Sequence, residues 1–143
     1  MLITNHVLAG ALVGLASPGP ASAFGVGVVS HFAMDVVPHW GDPDHEAFLR
    51  VAYVDGLVGL ATMALVAKLT PSSRRVTVVA GMLGACFPDS DKPSDLFFGR
   101  SPFPFVVDNF HKLIQRESED RMPQEFAVAA LQLLAFRKLV PRG

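Results

Sequence analysis

Long apolar runs, broken by short polar or proline-rich turns, organise this chain. Residues 3–17 are apolar on every side except at His6 and predict a first helix. Ser17-Pro18-Gly19-Pro20 reads as a tight turn. Residues 21–38 predict a second apolar helix that carries His31 and Asp35 near its end and is loosened or stopped by Pro38. A polar loop from Trp40 to Glu46 follows, and residues 46–69 predict the longest helix, with Asp55 in its first half. Thr70-Pro71-Ser72-Ser73 closes that helix and offers caps for a fourth over residues 73–87. Residues 92–121 are rich in proline, glycine and charge, and predict a long connection with one short helix around residues 109–117. Pro123 then opens a last helix to about residue 138. The fold class is all-α, a bundle of about five helices.

Composition moves this bundle toward a membrane. Half of the 143 residues are hydrophobic and only 17% are charged, with a mean hydropathy of +0.37. A chain of this size supports one domain and one core, here residues 1–138. Residues 139–143, Leu-Val-Pro-Arg-Gly, match the remnant of a thrombin cleavage site and are set aside. The expectation is an integral membrane bundle, although several helices are shorter than the roughly 20 residues of a perpendicular span; a soluble helical bundle is the alternative. Glycines at 10, 14, 25, 27, 56, 59, 81 and 84, with Ala21, provide small faces for close helix packing. The start of the chain lacks the basic region of a cleaved signal peptide, so the first helix is expected to be retained. A net charge of −1 gives no electrostatic case for nucleic acid. Cys86 is the single cysteine, which excludes an internal disulfide and a multi-thiolate metal site.

The polar residues inside these apolar helices carry the chemistry. His31 and Asp35 lie one helical turn apart on one face, and His39 follows just beyond. An apolar helix carries such groups only if they are paired or coordinated. Tracing the helices as alternating spans brings His6, His31, Asp35, His39, Asp55, Asp89, Asp91 and His111 to one end of the bundle. Four imidazoles and four carboxylates suit one or two divalent ions, with surplus carboxylates orienting the imidazoles. Mixed His/Asp ligation favours zinc, manganese or iron over magnesium alone, with zinc or manganese the expected ion. The expected metal ligands are His6, His31, Asp35, His39, Asp89, Asp91 and His111. Asp55 and Asp91 are the expected catalytic carboxylates, as general base or as ligand, with both roles left open. Arg100, Lys112 and Arg116 read as a solvated basic loop or as headgroup contacts.

Thr4-Asn5-His6, Ser30-His31-x3-Asp35-x2-Pro38-His39, Pro88-Asp89-x-Asp91 and Asn109-Phe110-His111 resemble the membrane-bound metal-dependent hydrolases, small bacterial inner-membrane proteins. The resemblance covers about residues 4–115, and its most specific part is the His-x3-Asp-x2-Pro-His stretch. The style of ligation is also similar to that of zinc-dependent phospholipase C, an all-helical enzyme, as a distant analogy. The resemblance implies a multi-pass protein of the bacterial inner membrane and a hydrolytic activity. A site at a membrane face suggests a phosphoester in a lipid or lipid-linked substrate, attacked by a metal-activated water. The rivals are a metal-ion or proton-coupled transporter using the same residues, and a non-catalytic protein with a structural ion. Self-association into a homo-oligomer is compatible with all three. The short loop with Lys68, Arg74 and Arg75 favours the cytoplasm for that side, and hence the periplasm for the site, whereas the long connection with Lys92, Arg100, Lys112, Arg116 and Arg121 argues the other way; short loops report orientation more reliably. No nucleophile elbow, Walker loop or His-Glu-x-x-His is present.

Overall fold

The computed structural model describes residues 1–140, and residues 141–143 of the thrombin-like remnant lie outside it. The described residues form seven α-helices and no strands. They are α1 (Ile3–Ala16), α2 (Pro20–Asp35), α3 (His45–Leu69), α4 (Ser72–Cys86), α5 (Asp91–Phe98), α6 (Phe105–Ile114) and α7 (Met122–Leu139), with short 3-10 turns at Pro88–Ser90 and Glu119–Arg121. α6 is the short helix expected around residues 109–117, starting four residues earlier, and α5 is the one helix that the sequence pattern does not predict. Pro93 sits in the first turn of α5, where a missing N–H costs nothing. Gly99, at φ 66°, ends α5 in the left-handed conformation that glycine adopts freely. α2 ends at Asp35, three residues earlier than expected.

α4 packs along both α1 and α2, and α1 also carries α3 and α7. The closeness of α1, α2 and α4 depends on missing side chains. A Cβ on Gly10 would lie 2.5 Å from the carbonyl oxygen of Gly81, and one on Gly27 would lie 2.5 Å from the same atom. Gly25 and Gly56, by contrast, face open space. Val7, Leu8, Ala11, Val66, Val78, Met82 and Phe136 fill the core between these helices.

The two ends of α1 are secured by other elements. At its C-terminus Arg74 Nη2 donates to the carbonyls of Gly14, Leu15 and Ser17 at 2.7–3.0 Å, satisfying acceptors that the helix leaves open. Arg75 donates in the same way to Ala67 and Thr70 at the end of α3. These two arginines therefore act as helix caps. The caps expected from Ser72 and Ser73 do not form; Pro71 precedes α4 without a side-chain cap, and Thr70 bonds back to Val66.

Among the described residues α3 is the one helix long and apolar enough to cross a membrane, and only 17% of its apolar window is buried. α1, α2 and α4 have 14, 16 and 15 residues, too short for a perpendicular span. A multi-pass path therefore does not follow from helix length.

Candidate metal centre

The cluster begins with the tautomer of His31. Its Nδ1–H donates to the Ala85 carbonyl of α4 at 2.8 Å, which leaves the Nε2 lone pair free to face the interior. His111, from α6, brings its own Nε2 to 3.0 Å from that atom. Asp35 Oδ2, one turn beyond His31, lies 3.0 Å from His111 Nε2 and 3.2 Å from His31 Nε2. Three donor atoms thus form a nearly equilateral triangle, and all three residues are buried. Ligands about 2.0–2.1 Å from a tetrahedral zinc ion stand roughly 3.3 Å apart, so the triangle is close to the size a divalent ion requires.

Two further residues adjoin it. His6 is fully buried and stacks on His31 with ring centroids 4.0 Å apart. Its Nε2 lies 3.2 Å from Asp35 Oδ1, yet neither ring nitrogen has a hydrogen-bond partner. A buried imidazole with both nitrogens unpaired is costly, and coordination would remove that cost at one of them. Asp89 places Oδ1 3.9 Å from both His31 Nε2 and His111 Nε2, and Oδ2 4.0 Å from His6 Nε2. The donor set and the unpaired His6 nitrogens fit a divalent ion, with His31, Asp35 and His111 as its nearest ligands and His6 and Asp89 beside them.

Asp91 Oδ2 lies 3.4 Å from His111 Nδ1, on the side of the ring that faces away from the triangle. It is placed to orient the imidazole, a carboxylate–histidine relay common at metal sites. The surrounding charge tunes the cluster. Burial alone would lower the pKa of His111, but its contacts with Asp35 and Asp91 outweigh burial and raise it to about 9. Burial pushes Asp89 up, but Lys92 and the imidazoles of His6 and His31 more than reverse this and hold it below the usual carboxylate range. Lys92 Nζ is bonded to Asp89 Oδ1 at 2.5 Å.

The structure thus brings together His6, His31, Asp35, Asp89, Asp91 and His111. It does not bring in Asp55 or His39. Asp55 accepts from Ile3 N at 2.5 Å, Thr4 N at 3.3 Å and Thr4 Oγ1 at 2.5 Å, so it caps the first turn of α1 from α3. Its expected role as a catalytic carboxylate is therefore replaced by a structural one. His39 donates through Nδ1 to Val37, and its Nε2 faces Glu117 at 3.9 Å. Its backbone pairs with the chain at Arg116 and Ser118. His39 belongs to this strap and not to any of the close ligand groups. Burial, followed by the nearby Met1 ammonium, lowers its pKa.

Lys92 and Glu125 were not singled out by the sequence pattern. Glu125 is buried and accepts from Leu2 N, Asn5 Nδ2 and Trp40 N, holding the start of α1 and the His39 strap to α7. An acidic surface cleft between Asp42 and Glu117–Asp120 contains none of the cluster residues. No protein family, curated protein or solved structure matches the chain.

Proposed function

We propose that the protein is a membrane-associated, metal-dependent hydrolase acting on a phosphoester of a lipid or lipid-linked substrate. The observation that carries this reading is the buried triangle of His31 Nε2, His111 Nε2 and Asp35 Oδ2, with edges of 3.0–3.2 Å. Zinc or manganese bound there would supply Lewis acidity toward a phosphoryl oxygen and would acidify a water. The chain supplies the rest. Ala85 and Asp91 fix the two imidazoles, and Asp89 lies where the cluster meets Lys92, whose side chain is 38% exposed. Asp89 thus lies between the buried imidazoles and the Lys92 ammonium, and it or Asp91, the more exposed of the two carboxylates, would take the proton of a bound water.

The exposed apolar surface supports the lipid part of the reading. Tyr53, Val54, Leu57 and Leu60 of α3 are 56–71% exposed. Phe97, Phe98, Phe105, Val106 and Leu113, on the two helices that carry Lys92 and His111, are 70–83% exposed. A water-soluble monomer rarely shows apolar surface on this scale, whereas a bilayer would cover it. The test is phosphate release from a panel of phospholipids and lipid-linked phosphates in detergent, with zinc or manganese supplied. Turnover by the wild-type protein that is lost on chelation and in Asp89→Asn supports the proposal. No turnover across the panel by the metal-loaded protein overturns it.

A further inference from the structure

We infer that the centre takes one divalent ion, and that the ammonium of Lys92 occupies the place a second ion would need. The inference rests on the metal-centre reading above and specifies its nuclearity. Asp89 is the residue on which a second ion would depend. Of the ligand groups that the cluster offers beyond the His31–Asp35–His111 triangle, one combines Asp89 with His6 and His31, and the other combines it with Asp91 and His111. Asp89 Oδ1 is already engaged by Lys92 Nζ at 2.5 Å, while its nearest imidazole nitrogens stand at 3.9 Å. Asp91 is engaged as well, since its Oδ1 accepts from Lys92 N at 2.6 Å and its Oδ2 faces His111 Nδ1.

Charge balance agrees with this occupancy. Asp35, Asp89 and Asp91 place three negative charges around the cluster, against one positive charge on Lys92. One divalent ion makes the sum neutral, and a second would leave two positive charges in a buried site. With the Met1 ammonium, 3.0 Å from Asp35 Oδ1, counted as well, the sum becomes one positive charge with one ion and three with two, which disfavours a second ion further. Lys92 is the second residue of α5, tethered three residues from Asp89, so its charge is supplied without a binding equilibrium. A phosphate oxyanion reaching the site would then meet one metal ion and one ammonium, in place of a pair of metal ions.

The experiment is metal stoichiometry on the full chain in detergent, by elemental analysis after saturation with zinc and removal of free ion. The wild-type protein and Lys92→Arg are expected to hold close to one ion per chain. Lys92→Met is expected to rise to close to two, because Asp89 is freed as a ligand. Manganese-loaded wild type is expected to give the paramagnetic resonance spectrum of an isolated ion. Two ions in the wild type, or an exchange-coupled spectrum, overturn this inference and leave the metal centre standing. A wild-type chain that holds no ion overturns the metal centre itself. One ion in Lys92→Met shows that the ammonium is not what excludes the second. Should Lys92→Met fail to fold, Lys92→Gln is read in the same way.

Discussion

His31 and His111 are 80 positions apart in the chain, and their Nε2 atoms meet at 3.0 Å. Two neutral imidazoles cannot both present lone pairs at that distance unless a proton or a cation lies between them. The raised pKa of His111 indicates that a proton fills this role in the ion-free protein. His31→Ala or His111→Ala should therefore remove a direct ligand. Metal affinity should fall by more than the roughly 10–100-fold that losing an outer partner costs. Unchanged metal content after dialysis, by elemental analysis, would count against the triangle.

The same proton gives a pH dependence. His111 has a folded-state pKa of about 9 against an ordinary value of 6.5. A raised pKa contributes stability that is complete below about 6.5 and is lost as pH rises through about 9. The chelated protein should thus lose stability across that window, and His111→Gln should flatten the loss. Metal binding displaces the proton, so zinc affinity should run the other way and increase with pH. Thermal unfolding with and without chelator at several pH values between 6 and 10 tests both signs.

Asp55 should matter for folding and not for the ion. Asp55→Asn weakens the acceptors of Ile3 N, Thr4 N and Thr4 Oγ1, and the expected destabilisation is about 1–2 kcal/mol, as for loss of a helix N-cap. Metal stoichiometry should stay at the wild-type value. Loss of the ion without loss of stability in this variant would return Asp55 to the centre.

Helix packing provides an internal control. Gly10→Ala drives a methyl group into the backbone of α4 and should cost about 1–3 kcal/mol. Gly56→Ala meets nothing within 4 Å and should be neutral or stabilising by about 0.4–1 kcal/mol. Equal melting temperatures for the two variants would show that α1 and α4 are not in contact at Gly10.

The placement of His6, His31, Asp35, Asp89, Asp91 and His111 was legible in the sequence, because short apolar helices joined by tight turns must alternate in direction. The same tracing placed Asp55 and His39 at that end without showing their partners. Asp55 reads as a charge inside an apolar helix, but its partner is the first turn of another helix, a relation with no sequence period. Glu125 reads as an ordinary acid in a first turn, where the helix dipole favours it. Its buried contacts with Leu2, Asn5 and Trp40 span more than 80 positions and leave no local trace. Arg74 and Arg75 read as markers of a cytoplasmic loop, yet their guanidinium groups are occupied by carbonyls of α1 and α3. α5 was hidden by Pro93, which signals a break in mid-helix but is tolerated in a first turn.

One feature of α6 links the ion to the architecture. His111 is the single buried residue of that helix, while Phe105, Val106 and Leu113 on it are 75–83% exposed. An ion held by His31, Asp35 and His111 would join α6 to α2 as a pin joins a hasp to its staple. By linkage, whatever free energy the ion gains from His111 as a ligand equally favours the docked helix over the undocked one. Removing the ion would slacken the whole connection from Gly99 to Gln115, and a protease acting between α5 and α6 would then cut faster in chelator than in zinc.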